Sequence, residues 1–134
     1  MRVRYDPEVD ALRITTDTLG VVSSSLWDPE YDSVVVDFAT EDGCEIVGLD
    51  VMWASTYLPL GKKGYDPGAD TLLMGRSTCD PELITENGDL IGYWRVDEYD
   101  PSGFRDPIGV VIRRASVHLA KVSEKISANL ASTA

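Results

Sequence analysis

The sequence predicts an α+β fold made of two pseudo-symmetric antiparallel β-rich units, each with a helix after its last strand, sharing one core and ending in a long C-terminal helix. Three observations predict it. Blocks of sequence recur in the same order about sixty positions apart, apolar residues alternate with period two through most of those blocks, and a single helical stripe fills the C-terminal end. The units are assigned to residues 1–60 and 61–134, packed as one globule.

The first block, Tyr5-Asp6-Pro7-Glu8-Val9-Asp10-Ala11-Leu12, returns as Tyr65-Asp66-Pro67-Gly68-Ala69-Asp70-Thr71-Leu72. Asp-Pro sets a turn, because proline arrives with the φ the turn needs and the aspartate side chain accepts from the amides that follow. Val3 and Tyr5 alternate before the turn and Leu12 and Ile14 after it, the pattern of a hairpin. In the second unit Leu72 and Met74 take the last two places, and the glycines of Gly61-Lys62-Lys63-Gly64 weaken the strand expected before the turn.

Val34 and Val36 then share a strand face, matched by Trp94 and Val96, with Val36-Asp37 answering Val96-Asp97. A turn follows at Glu41-Asp42-Gly43. The next strand puts Val47, Leu49, Val51 and Trp53 on one core-facing side, with Ile108, Val110 and Ile112 in the second unit. Ala54-Ser55 and Ala115-Ser116 open helical segments in which the serine is the expected N-cap. The first has room for barely a turn before Pro59, whereas the second continues with Ala115, Leu119, Val122, Ile126 and Leu130 on one stripe. Glu86-Asn87-Gly88-Asp89 reads as the turn of an extra hairpin inserted in the second unit.

Composition narrows function. Of 134 residues, 43% are hydrophobic and 26% charged, which is globular rather than disordered. Twelve basic residues against 23 acidic ones leave a net charge of −11, a field that repels phosphate backbones and anionic lipids and favours a basic protein partner. Nucleic acid and membrane are therefore not expected partners. The opening Met1-Arg2-Val3-Arg4 lacks the apolar stretch of a signal peptide, and a cytoplasmic location is expected.

Taken together, the pattern Tyr-Asp-Pro-Glu-x-Asp-Ala-Leu, a Val-rich strand ending in Asp, Asp-Gly, an Ile-Val-Gly-aliphatic strand and Ala-Ser resembles a small bacterial family of domains of unknown function. It is nearly complete from Tyr5 to Ser55, and departs in the second unit at Gly68 and at Pro101-Ser102-Gly103-Phe104-Arg105. The resemblance implies compact units of about four antiparallel strands and a helix, a fold rather than a chemistry. Some short members are similar to proteins encoded beside small basic nuclease-like toxins, which implies an antitoxin-like, partner-masking role.

Candidate sites emerge from these patterns. A non-catalytic module would present Asp6, Glu8, Asp10, Asp28, Glu30 and Asp50 to a basic partner. The alternative is a small-molecule binder, or an enzyme, using an aromatic cleft between the units lined by Trp27, Trp53 and Trp94. No metal or cofactor is expected: the alternating carboxylates lack the glycine of a calcium loop, with Ala11 and Ser33 standing there, and His118 is the only histidine. His118 reads as a polar-face helix residue, and Cys44 and Cys79 lack a basic neighbour to activate them. The chain is expected to be a monomer whose repeats imitate a dimer, or a homodimer.

Overall fold

A computed structural model describes residues 1–18, 22, 24–28, 31–39, 45–62, 64–75, 83–96 and 105–132. The chain forms β1 (Arg2–Asp6), β2 (Ala11–Thr15), β3 (Ser24–Asp28), β4 (Tyr31–Phe38) and β5 (Ile46–Val51), then a 3-10 turn over Ala54–Thr56. It continues as β6 (Tyr65–Asp66), β7 (Thr71–Gly75), β8 (Leu83–Asn87), β9 (Leu90–Val96) and β10 (Arg105–Arg113) before helix α1 (Ala115–Ser132). Two antiparallel sheets result, ordered β1-β2-β5-β4-β3 and β6-β7-β10-β9-β8.

Period-two alternation decides which face is inside. Leu12, Ile14, Leu49, Val51, Val34 and Val36 of the first sheet and Leu72, Met74, Val110, Ile112 and Leu90 of the second are buried in one continuous cluster. The sheets meet through β3 against β10, β5 against β8 and β4 against β7. The first two of these contacts are reciprocal, since β3 and β8 hold the same place in their sheets, as do β5 and β10. Helix α1 leaves the second sheet and lies along β1 of the first, burying Ala115, Leu119, Val122 and Ile126, while Leu130 at the end of the expected stripe is 40% exposed. Lys125 Nζ donates to the carbonyl of Tyr5 at 3.3 Å, and the Leu60 amide donates to Ser123 Oγ at 3.4 Å.

The glycine-weakened strand is shortened as expected: β6 has two residues where β1 has five. Gly64 has φ +98, and a Cβ there would stand 2.5 Å from the Leu73 carbonyl oxygen that faces it, so only glycine fits.

Four expectations need correction. The hairpin of β8 and β9 is not an insertion, because it fills the place that β3 and β4 fill in the first sheet. Nor do Trp94 and Val96 answer Val34 and Val36. In register, Val51 faces Val34 and Leu49 faces Val36, whereas Ile112 faces Leu90 and Val110 faces Gly92. The two Val-Asp pairs share identity but not position, since register is set by the buried face and the length of the turn. Trp53 is not a core residue: β5 ends at Val51, and Trp53 stands beyond it, 54% exposed with φ 52. Finally, the serines are not N-caps, for a reason that lies in the hairpin turns. The Glu41-Asp42-Gly43 turn, Cys44, Cys79 and residues 101–104 lie outside the described residues, as do the side chains of Trp94, Val96 and Ile108.

Candidate functional site

Each Asp-Pro hairpin is closed by the same set of bonds. In the first, the Glu8 amide donates to Asp6 Oδ1 at 3.0 Å, holding the turn, and the Tyr5 hydroxyl donates to Asp10 Oδ1 at 2.7 Å. Asp10 then reaches across to the segment after β5. Its carboxylate accepts from the Ser55 amide at 3.1 Å and from Ser55 Oγ at 2.5 Å, and its carbonyl accepts from the Ala54 amide at 2.9 Å. In the second hairpin Gly68 donates to Asp66, Tyr65 and Ser116 converge on Asp70, and the Ala115 amide meets the Asp70 carbonyl at 2.9 Å.

The cap is therefore the distant aspartate. Asp10 and Asp70 accept the free amides at the start of the 3-10 turn and of α1, and each serine adds a hydroxyl donor. The geometry forces the left-handed region on Asp10 and Trp53, at φ 52 each, and on Asp70 and Arg114, at φ 49 and 51. Burial and then the Asp10 carboxylate push the Tyr5 phenol up to about 12, and the Asp70 bond raises that of Tyr65. The Ser116 hydroxyl and the Tyr65 phenol, donating to Asp70, lower its carboxyl.

The sequence-predicted carboxylates thus separate. Asp6 and Glu8 are exposed at the tip of the first hairpin, and Asp10 is taken up in the clip behind them. Asp50 is elsewhere, on the outer face of β5, where Arg13 Nη1 donates to it at 3.0 Å and to the buried Asp37 at 2.6 Å. Asp28 ends β3, its side chain outside the described residues, as is Glu30 altogether.

At the tip, Val9 is 56% exposed and Trp53 54% exposed, joined through the bond between Asp10 and Ala54. Two large apolar side chains and two carboxylates are therefore presented by one clamped corner. The Lys62 ammonium lies near its rear, 2.5 Å from the Ser55 carbonyl oxygen. Of the three tryptophans assigned to a cleft, Trp53 faces solvent here, and the side chains of Trp27 and Trp94 lie outside the described residues.

A second polar cluster was not legible in the sequence. His118 Nε2 lies 2.7 Å from Asp89 Oδ2, and Arg114 donates to the same oxygen from Nε at 2.8 Å and from Nη2 at 2.6 Å. Bonds from Arg114, then His118, hold the Asp89 carboxyl down at about 2. These residues border a cavity of about 150 Å3 between the sheets, together with Thr16 and Asn87. Asn87 crosses from β8 to donate to Thr18 and, at 3.1 Å, to the Ile46 carbonyl. The imidazole has the carboxylate that would orient a general base, but among the described residues no hydroxyl or thiol hydrogen-bonds the ring. Only the helical periodicity around His118 was visible in sequence; its partner is 29 residues away in a turn.

Among the described residues no group of three or more His, Cys, Asp or Glu side chains could hold a metal ion, and no helix is long and apolar enough to cross a membrane. The architecture defines an α+β protein of two packed antiparallel sheets and a C-terminal helix. Comparison with known protein families, curated proteins and solved structures yields no match for it.

Proposed function

We propose that the chain is an internally duplicated, non-catalytic interaction module that docks a basic protein through the corner formed by its first hairpin. The observation that carries this reading is the joint exposure of Asp6, Glu8 and Val9 on the hairpin turn and of Trp53 on the segment after β5 that the clip of Tyr5, Asp10 and Ser55 ties to it. A corner fixed in advance has little ordering entropy left to lose on binding. Its carboxylates and the net charge of −11 steer a cationic partner toward it. An exposed indole is the side chain best suited to stack under an arginine or lysine.

Duplication is the origin we infer for the architecture. It is supported by the common strand order, the repeated clips and the reciprocal contacts between the sheets, which reproduce within one chain the isologous contacts of a two-fold dimer. An antitoxin-like role, in which the module masks a small basic protein, is the form of the reading that the opening motif and the charge favour. A cavity between the sheets supports the small-ligand alternative, although Trp53 is not part of its polar lining.

The test is capture of partners by the tagged chain from native lysate at low salt, beside a variant carrying Asp6→Asn, Glu8→Gln and Trp53→Ala. The reading expects a near-stoichiometric basic protein that is released as salt rises and that the variant fails to retain. Recovery of no basic protein, or equal recovery by the variant, overturns it.

A further inference from the structure

Arginines are placed oddly on β1. In a strand, alternate residues share a face, so Arg2 and Arg4 point to the side opposite the buried Tyr5. Register sets Arg4 directly across from Arg13 and Arg2 across from Thr15. Two cations facing each other across antiparallel strands repel. The arrangement stands out because acidic residues outnumber basic ones 23 to 12 in this chain.

The other arginines whose side chains are described are neutralised. Arg113 reaches Glu86, Arg114 reaches Asp89, and Arg13 reaches both Asp37 and Asp50. The guanidinium groups of Arg2 and Arg4 make no ion pair among the described residues.

Arg13 is also built into place. Both of its carboxylate bonds leave from Nη1, so Nη2 and Nε remain as donors. The guanidinium lies over Gly48, where a Cβ would come within 2.7 Å of Nη2 and 2.6 Å of the Ile14 carbonyl oxygen. Glycine at that position of β5 makes the floor on which Arg13 rests. Arg2, Arg4, Arg13 and Thr15, with Val3, line an open groove of about 500 Å3.

We propose that this groove binds the phosphate group of a small phosphorylated molecule. Arg2 and Arg4 offer two unneutralised charges that match a phosphate monoester dianion, and guanidinium forks suit its oxygens. Arg13 contributes its free donors from a fixed position and Thr15 a hydroxyl. Asp37 and Asp50 neutralise Arg13 and repel a deeper anion, so the phosphate sits between Arg2 and Arg4 at the β1 side. The charge of the whole chain confines this site to small anions, because a nucleic acid backbone would extend beyond the groove into an acidic surface.

The test is titration of the 15N-labelled full chain with inorganic phosphate and, separately, ribose 5-phosphate, at ionic strength held constant with chloride. The proposal expects saturable shifts of the β1 and β2 amides, with affinity lowered about tenfold or more by Arg2→Gln or Arg4→Gln, the loss of one charge-assisted bond. Arg113→Gln is the matched control and should leave affinity unchanged. Non-saturating shifts, or equal shifts with acetate, would mean general ion atmosphere and overturn it. So would absence of phosphate binding together with self-association of the Arg2→Gln and Arg4→Gln variants in size-exclusion chromatography, which would make these arginines guards of an edge strand.

Discussion

The two hairpin clips use the same chemistry to support different surfaces. Tyr5, Asp10 and Ser55 repeat as Tyr65, Asp70 and Ser116, down to the carbonyl that accepts the next amide and the left-handed residue before it. Yet that left-handed residue is an exposed Trp53 in one half, and in the other it is Arg114, occupied with Asp89. The first clip leads into a 3-10 turn of three residues and the second into a helix of 18. Outer sheet faces diverge in the same way, with Arg13 beside Asp50 in one and Leu73 beside Val111 in the other. The clip residues are thus the same in both hairpins, while the side chains set outward beside them differ.

The strongest way to break the comparison is through the core both halves share. Leu119 is fully buried, so Leu119→Ala should cost about 2–5 kcal/mol, and urea unfolding should remain a single transition for probes in either sheet. Independent halves would give two transitions, with the first sheet unaffected.

Next in size are the clips. Asp10→Ala removes the cap and takes from the buried Tyr5 hydroxyl its carboxylate acceptor, an expected loss of about 1–3 kcal/mol by urea denaturation. Asp70→Ala should cost less, since Tyr65 is only half-buried. Tyr5 also sharpens the contrast at high pH. Its folded pKa is raised, so its contribution is complete below about pH 10 and is lost as pH climbs toward about 12. Tyr5→Phe should flatten the fall in thermal stability over that window.

Asp89 has the opposite sign. Its folded pKa is lowered to about 2, so its contribution is present above the ordinary carboxyl range and is lost as pH falls from about 4 through 2. Asp89→Asn should make melting temperature less steep in acid and leave the alkaline limb unchanged.

The smallest effect belongs to the left-handed pair. Trp53→Gly removes an unfavourable φ from an exposed side chain and should gain about 0.5 kcal/mol, the relief being partly offset by a more flexible unfolded chain. Arg114→Gly should gain less, because it also releases Asp89. Calorimetry of the two variants side by side measures the difference.

Much of the frame was legible in sequence because it is local. Asp-Pro turns, alternation in β2, β5, β7 and β10, and the stripe from Ala115 to Ile126 each declare themselves within a few residues. The correspondence of β4 with β9 was not, since residue identity suggested a match that strand register shifts by four positions. Trp53 read as one more step of the β5 alternation, and nothing nearby showed that Asp10 would stop the strand and turn the indole outward. Asp10 looked like a surface charge because its partner Ser55 is 45 residues away, and the same separation, 46 residues, hides the role of Asp70. The pairing of Asp89 with His118 was hidden for the same reason.

The most direct test of the account is to compare the two corners with one captured partner, measuring its dissociation constant for the chain with Asp6→Asn, Glu8→Gln and Trp53→Ala and for the chain with Asp66→Asn and Ala69→Ser. The account predicts that the first set weakens binding at least about tenfold and the second leaves it within about twofold, because the recognising residues belong to the first half alone. Equal losses from both sets, or a loss confined to the second, would contradict it.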